Sequence, residues 1–229
     1  MPNRKRPVAP AHLNFLSHRD ELTRLPLAER FDHIARTNLW GASSPSGLGS
    51  ELAATRRLRA ALPPFLARHE VRSLLDVPCG DFGWLSTVDL GVSYTGADIV
   101  PALVEENERR YGGSSTGRRF LRLDLTKDAL PRADLVLCRD CLVHLSFENI
   151  GRALENVRAS GARYLLTTTF LEHEVNSDIE DGDWRMLNLE REPFNLPPPV
   201  DVLVEHCEEG DGAYADKALG LWEYCGQTL

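Results

Sequence analysis

Three aspartates stand where three successive β-strands should end. Asp76 closes Ser73-Leu74-Leu75-Asp76, Asp98 follows 22 residues later at the close of a second β-rich run, and Asp124 sits within Leu123-Asp124-Leu125. After Asp76 the run Val77-Pro78-Cys79-Gly80-Asp81-Phe82-Gly83-Trp84 turns through small residues, lets backbone approach a ligand, and reads as entering a helix. The offset of Asp98 is close to that at which a carboxylate accepts from both ribose hydroxyls in nucleotide-binding folds, and Ile99 follows it. Asp124 can accept from an adenine amino group while Leu125 faces the ring. One aspartate at a strand end is an ordinary turn residue; recurrence at three strand ends points to a nucleoside site. The spacing G-x-G-x-x-G is absent, which disfavours a nicotinamide dinucleotide.

A second group follows the fourth expected strand: Arg139-Asp140-Cys141-Leu142-Val143-His144. If a helical turn begins there, Asp140 and His144 share one face, the imidazole able to take a proton and the carboxylate to stabilise the imidazolium. The alternative makes Asp140 a helix cap and His144 a partly buried histidine satisfied by backbone. After the fifth strand come Glu172-His173-Glu174, Asp178, Glu180, Asp181 and Asp183, an acidic segment that either holds Mg²⁺ or is a solvated loop. Trp184, Arg185 and Asn188, with Thr169 and Glu172, offer the apolar platform and planar hydrogen-bonding groups of a saccharide site, or else form the connection to the last strands.

The elements that must position these groups are legible as an α/β alternation. Strands are expected at Arg72–Asp76, Ser93–Asp98, Arg119–Asp124, Leu135–Cys138, Arg163–Thr169, Asp201–His206 and Leu219–Tyr224, with helices at Pro101–Tyr111 and Phe147–Ala159. The last two strands have no helical pattern between them and should pair antiparallel at the sheet end. Residues 1–70 read as an N-terminal extension: an amphipathic helix around Leu22–Thr37, a Gly/Ser loop over Gly41–Ser50 that is either a linker or a lid, and a basic helix over Glu51–Arg68. Residues 71–229 form the core. The 229 residues are 42% hydrophobic and 26% charged, the composition of a globular chain. A net charge of −8 opposes nucleic-acid binding. Arg4, Lys5 and Arg6 precede no apolar stretch long enough for a signal peptide or a membrane span, so a cytoplasmic location is expected. Five cysteines, Cys79, Cys138, Cys141, Cys207 and Cys225, suit reduced thiols rather than a disulfide framework, and Cys138-x-x-Cys141 lacks a second ligand pair.

From Ser73 to Phe170 the chain resembles the class I S-adenosylmethionine-dependent methyltransferases, whose first motif is an acid followed by alternating glycines. Pro78 and Phe82 stand where two of those glycines are usual. The resemblance implies a seven-stranded Rossmann-like sheet with an antiparallel C-terminal pair, and S-adenosylmethionine as cofactor, held by Trp40, Asp76, Pro78, Gly80, Phe82, Asp98, Ile99, Asp124, Leu125 and Arg139. A methionyl carboxylate needs a cation, for which Arg57 and Arg59 are available if they are not merely solvated, and its ammonium group suits Asp76. Asn38-Leu39-Trp40-Gly41, the Gly/Ser loop, Arg139–Leu145 and Thr167–Phe170 further resemble the sugar 1-O-methyltransferases of mycobacterial methylmannose polysaccharide synthesis. That resemblance implies a methylated mannoside acceptor, a divalent metal such as Mg²⁺ and a homodimer. A carboxylate or amine acceptor, or a non-catalytic S-adenosylmethionine-binding module, remains compatible with the same residues.

Overall fold

The computed structural model describes residues 6–113 and 116–224; Arg4, Lys5 and Cys225 lie outside the described residues. Seven strands, β1 Ser73–Asp76, β2 Ser93–Asp98, β3 Arg118–Arg122, β4 Leu135–Cys138, β5 Tyr164–Phe170, β6 Asp201–Val204 and β7 Lys217–Glu223, make one sheet in the order β3-β2-β1-β4-β5-β7-β6. The first five run parallel; β7 inserts between β5 and β6, antiparallel to both. This is the Rossmann-like methyltransferase architecture expected from the sequence, with the antiparallel pair at its end.

Alternation along the strands explains why both faces are covered. Leu75, Val136, Cys138 and Leu165 point to one side, where helix α5 (Phe147–Ala159) lays down Ile150, Ala153 and Val157. Leu74, Leu135, Leu137 and Leu166 point to the other, beneath α3 (Arg56–Arg68) and α4 (Pro101–Tyr111). Strands buried on both faces are apolar runs, the signature of a parallel sheet. Helix α3 therefore belongs to the layer over the sheet, although it precedes residue 71. Helices α1 (Pro10–Leu22) and α2 (Leu27–Thr37) form a smaller cluster through Phe15, Leu22 and Ile34. No described helix is long and apolar enough to cross a membrane.

One expected helix is absent and one helix is added. The turn after β1 does not lead into an α-helix: only the 3₁₀ turn Leu85–Thr87 separates it from the approach to β2. So few residues lie between Phe82 and Ser93 that a helix of several turns cannot fit with the connection back to the sheet. Helix α1 is an addition, missed because Leu13 and Leu16 face solvent and break the amphipathic pattern.

Residues 171–200 carry neither helix nor strand, yet Leu187 and Leu189 are fully buried in the α5-side core. Leu187→Ala should therefore cost about 2–5 kcal/mol, the range for truncating a core leucine. Thermal and denaturant unfolding check it; a loss within about 0.5 kcal/mol would make the segment a surface connection.

Candidate functional site

The strand ends open into one cavity on the carboxyl side of the parallel strands, the place where open α/β sheets bind ligands. Asp76 is the last residue of β1, Asp98 the last of β2, and Asp124 lies two residues beyond β3; all three line the cavity with Pro78, Gly80, Ile99 and Leu125. Trp40, Arg139, Asp140 and His144 line it as well. Asp98 accepts the N–H of Gly80 and of Val100, one on each oxygen, both at 2.9 Å. Each oxygen keeps acceptor capacity for a ligand. Burial raises its pKa to about 6, against the opposing pull of those backbone hydrogen bonds. Asp76 accepts the Tyr94 hydroxyl at 2.7 Å, and burial carries its pKa to about 7. Asp124 is partly committed, accepting both the N–H and the hydroxyl of Thr126.

The Gly/Ser loop is docked over this cavity. Ser44 and Ser46 donate to the Asp81 carboxylate at 2.9 and 3.2 Å, and the Asp81 N–H donates back to Ser46 Oγ at 2.8 Å. A Cβ on Gly80 would lie 2.2 Å from Ser46 Oγ, and its φ is +55°. Glycine at 80 thus serves the close approach of the loop. Gly49 does likewise: a Cβ there would lie 2.7 Å from an Asp140 oxygen.

Beyond β4 the chain does not form the expected helical face. Asp140 has φ +52° and a 3₁₀ turn, Leu142–His144, follows. No hydrogen bond joins Asp140 to His144. The Asp140 carboxylate instead meets Lys217 Nζ at 2.7 Å and Arg139 at 3.1 Å. Burial opposes its ionisation, but the two cations outweigh burial and hold its pKa well below the usual carboxylate range. Arg139 is also paired with Glu205 at 2.6 Å and donates to the Gly49 carbonyl at 2.8 Å. His144 is buried, its ring 4.7 Å from that of Trp40, and its Nδ1 lies 2.7 Å from the Asp183 carbonyl oxygen. A carbonyl only accepts, so Nδ1 carries the hydrogen and Nε2 of the neutral ring is a lone-pair acceptor. Burial lowers the pKa of His144 to about 4.

A second chamber shares Trp40, Ser46, Asp140 and His144 with the first, and its far walls include Phe170, Trp184, Tyr214 and Lys217. Of the acceptor candidates, Trp184 lines this chamber, and Thr169, Glu172, Arg185 and Asn188 do not. Arg185 spends its guanidinium on the carbonyls of Leu142 and Leu145, at 2.7 and 2.8 Å, the first of which also accepts the Leu145 N–H that closes the 3₁₀ turn carrying His144. Asn188 bridges the His173 carbonyl and the Glu190 N–H. Thr169 is buried within β5, and exposed Glu172 lies outside both chambers. Among the cofactor candidates, Phe82 packs into an aromatic group with Tyr94, Tyr111 and Phe120 rather than into the cavity. Arg59 donates to the Leu52 carbonyl and Arg57 lies 3.9 Å from Glu208; neither reaches the cavity.

Most carboxylates of the acidic segment are engaged by protein partners rather than gathered around a metal position. Asp181 accepts the Ser146 N–H and the Asn149 amide, Asp178 the Phe147 N–H, Glu180 pairs with Arg19 and Asp183 with His12. Asp140 is neutralised by two cations, and no group of three metal-binding side chains occurs among the described residues. Lys217, Glu205, Ser46 and Trp84 are the site residues that the sequence did not single out. A lysine opening the apolar run Ala218-Leu219-Gly220-Leu221-Trp222 was the available signal for Lys217.

No protein-family model and no curated protein matches the sequence. Among solved structures it is similar to the mitomycin 7-O-methyltransferase MmcR, with a TM-score of 0.60 and 16% identity over 94% of this chain and 69% of that one. The methyltransferase domain of bacterial CtHen1 gives a TM-score of 0.55 and 13% identity over 74% and 98%. The N-methyltransferase NodS from Bradyrhizobium japonicum WM9, in complex with S-adenosylhomocysteine, gives 0.50 and 14% over 61% and 73%. Of three further methyltransferase chains that it matches, this chain spans 66%, 58% and 62%. These likenesses establish the fold: the chain has the seven-stranded methyltransferase fold.

Gly80→Ala should expel the loop from its seat, through both the close contact with Ser46 and the strain of positive φ, at a cost of about 1–3 kcal/mol. Hydrogen exchange over Ala42–Ser50 should accelerate. Gly91→Ala, with φ +66° and nothing within 4 Å, supplies strain without the contact and should leave that exchange unchanged. Equal exchange in both variants would sever the link between Gly80 and the loop.

Proposed function

We propose that the chain is an S-adenosylmethionine-dependent methyltransferase that methylates a hydroxyl of a small polar acceptor, with His144 as general base. The observation that carries this reading is the setting of His144: it stands on the wall common to both chambers, and its Nδ1 is fixed by Asp183 so that Nε2 is the basic nitrogen. S-adenosylmethionine, when bound, supplies an electrophilic methyl group on a sulfonium centre. Asp98 accepts from the ribose diol, and Asp124 and Leu125 receive the adenine. Asp76 receives the ammonium group. Arg139, the cation on the cavity wall, takes over from Arg57 and Arg59 as the partner for the carboxylate. Trp40 and the docked loop keep water from the transfer. His144 takes the hydroxyl proton as the acceptor oxygen attacks, and Asp140 is a fixed negative charge near the imidazolium so formed. A sugar hydroxyl, including that of the methylated mannoside implied by the sequence pattern, and an aryl hydroxyl both meet this description.

His144→Ala should lose about 10²–10⁴ in single-turnover methyl transfer while keeping its affinity for S-adenosylhomocysteine. With saturating cofactor the wild-type rate should be level from about pH 8 to 6, since the histidine titrates near 4. A variant rate within about threefold of wild type would leave His144 a structural residue.

Cofactor binding should also release a proton near pH 7. Asp76, with its pKa raised to about 7 by burial, is half protonated there, and an arriving ammonium group favours the ionised form. Calorimetry of S-adenosylhomocysteine binding in buffers of different ionisation heat should show this release, and it should fade above about pH 8, where the acid is already ionised. Asp76→Asn should abolish it. Release that persists in the variant would move the ammonium contact elsewhere.

A further inference from the structure

The second chamber carries an arrangement that narrows the acceptor. Its walls are mostly apolar and aromatic: Phe170, Trp184 and Tyr214 lie edge-on to one another, with ring centroids 5.4 to 6.2 Å apart, and Trp40 and Leu48 close the opposite side. Residues Pro7–Ala11 add a further apolar wall, held by the Tyr214 hydroxyl donating to the Pro7 carbonyl at 2.7 Å and by Arg6 paired with Asp216 at 2.9 Å. A sugar brings several hydroxyls, each needing a partner when it leaves water. The planar groups that would have met them, on Arg185 and Asn188, are spent on backbone. A flat ring with one hydroxyl suits these walls better.

Lys217 brings a cation to this lining, whose other polar side chains include Ser46, Asp140, His144 and Glu209. Its ammonium, buried at the start of β7, has Asp140 at 2.7 Å and Glu205 at 3.8 Å, so only one of its three hydrogens is taken at hydrogen-bonding distance. The same side chain lines the chamber that His144 lines. A desolvated cation with spare donors, lining the same chamber as a neutral base, is the apparatus for an oxygen that becomes negative. The indole N–H of Trp40, whose ring lies 4.7 Å from that of His144, is buried without a partner among the described residues. We propose that the second chamber binds a planar aryl hydroxyl and that Lys217 holds its oxygen as the proton passes to His144. This rests on the methyltransferase reading above. The balance is that of a displacement: the O–H proton goes to His144 Nε2, the oxygen forms a bond to the methyl carbon, and the carbon–sulfur bond breaks with its electron pair going to sulfur. The products are an aryl methyl ether and S-adenosylhomocysteine. An aryl hydroxyl is also the acceptor matched to a weak base, since a histidine titrating near 4 has little drive to deprotonate an aliphatic alcohol.

The test uses 4-nitrophenol, whose phenolate absorbs at longer wavelength than the phenol, with full-length protein saturated with S-adenosylhomocysteine. Saturation is verified first by calorimetry, so failure of the cofactor reading shows there and not in the phenol signal. Bound to wild type, 4-nitrophenol should ionise about 1–3 pH units below its value in solution, the effect of a cation in contact. Lys217→Met should return that value to the solution one, and Lys217→Arg should keep most of the shift. Where Lys217→Met fails to fold, Lys217→Met with Asp140→Asn restores charge balance and should give the same loss. An ionisation unaffected by removal of Lys217, no binding of 4-nitrophenol to the cofactor-saturated protein, or tighter binding of methyl mannoside than of 4-nitrophenol would each overturn the proposal.

Discussion

Four charges packed together, three of them buried and Asp140 partly so, organise the carboxyl end of the sheet. Arg139 and Asp140 leave β4, Glu205 follows β6 and Lys217 opens β7, and the closest contacts among them run from 2.6 to 3.1 Å. Burying any one alone would cost several kcal/mol, and removing one partner from such a set typically costs about 3–5 kcal/mol because the others remain. The set therefore stands or falls as a unit. It ties the parallel strands to the antiparallel pair, and through the Gly49 carbonyl on Arg139 it reaches the Gly/Ser loop. The loop's position depends in turn on two glycines, 49 and 80, whose missing side chains let the serines and Asp140 come near.

The neighbouring acids have the opposite character. Asp76 and Asp98 have no cation at hydrogen-bonding distance, and burial raises both of their pKa values. Their ionisation works against the free fold: the stability they contribute is full below their unfolded pKa, and it is lost as pH rises through about 6 to 7. A ligand bringing a diol and an ammonium group restores what burial took away. The cavity wall thus joins two acids without a cation at hydrogen-bonding distance to a cluster whose acids and cations are paired.

The sheet was legible because strands buried on both faces must be apolar runs, and β2, β4, α4 and α5 fall on the residues their patterns indicate. The three acids were legible because a strand end facing a cavity is fixed by topology. Roles that depend on contacts between distant segments were not. Nothing near Ser46 in the sequence announces Asp81, and nothing near Lys217 announces Asp140. Arg185 and Asn188 show the same ambiguity in reverse: a polar group beside aromatic residues serves a ligand or a stray carbonyl equally well, and only the path of the backbone decides.

That path explains the acidic run after β5. A 3₁₀ turn in place of a helix exposes carbonyls and N–H groups around His144, and each must find a partner when buried. Arg185 takes the carbonyls of Leu142 and Leu145, Asp181 and Asp178 take the N–H groups that open α5, and the His144 carbonyl accepts from Gly182. The carboxylates that offered themselves as metal ligands thus brace the element carrying His144. Asp183 completes the arrangement from its backbone, since its carbonyl sets the tautomer while its side chain anchors α1 through His12. One short irregular segment therefore fixes the position of His144, the proton on Nδ1 and the docking of the N-terminal helix. For that reason this segment is packed like core although it has no regular structure.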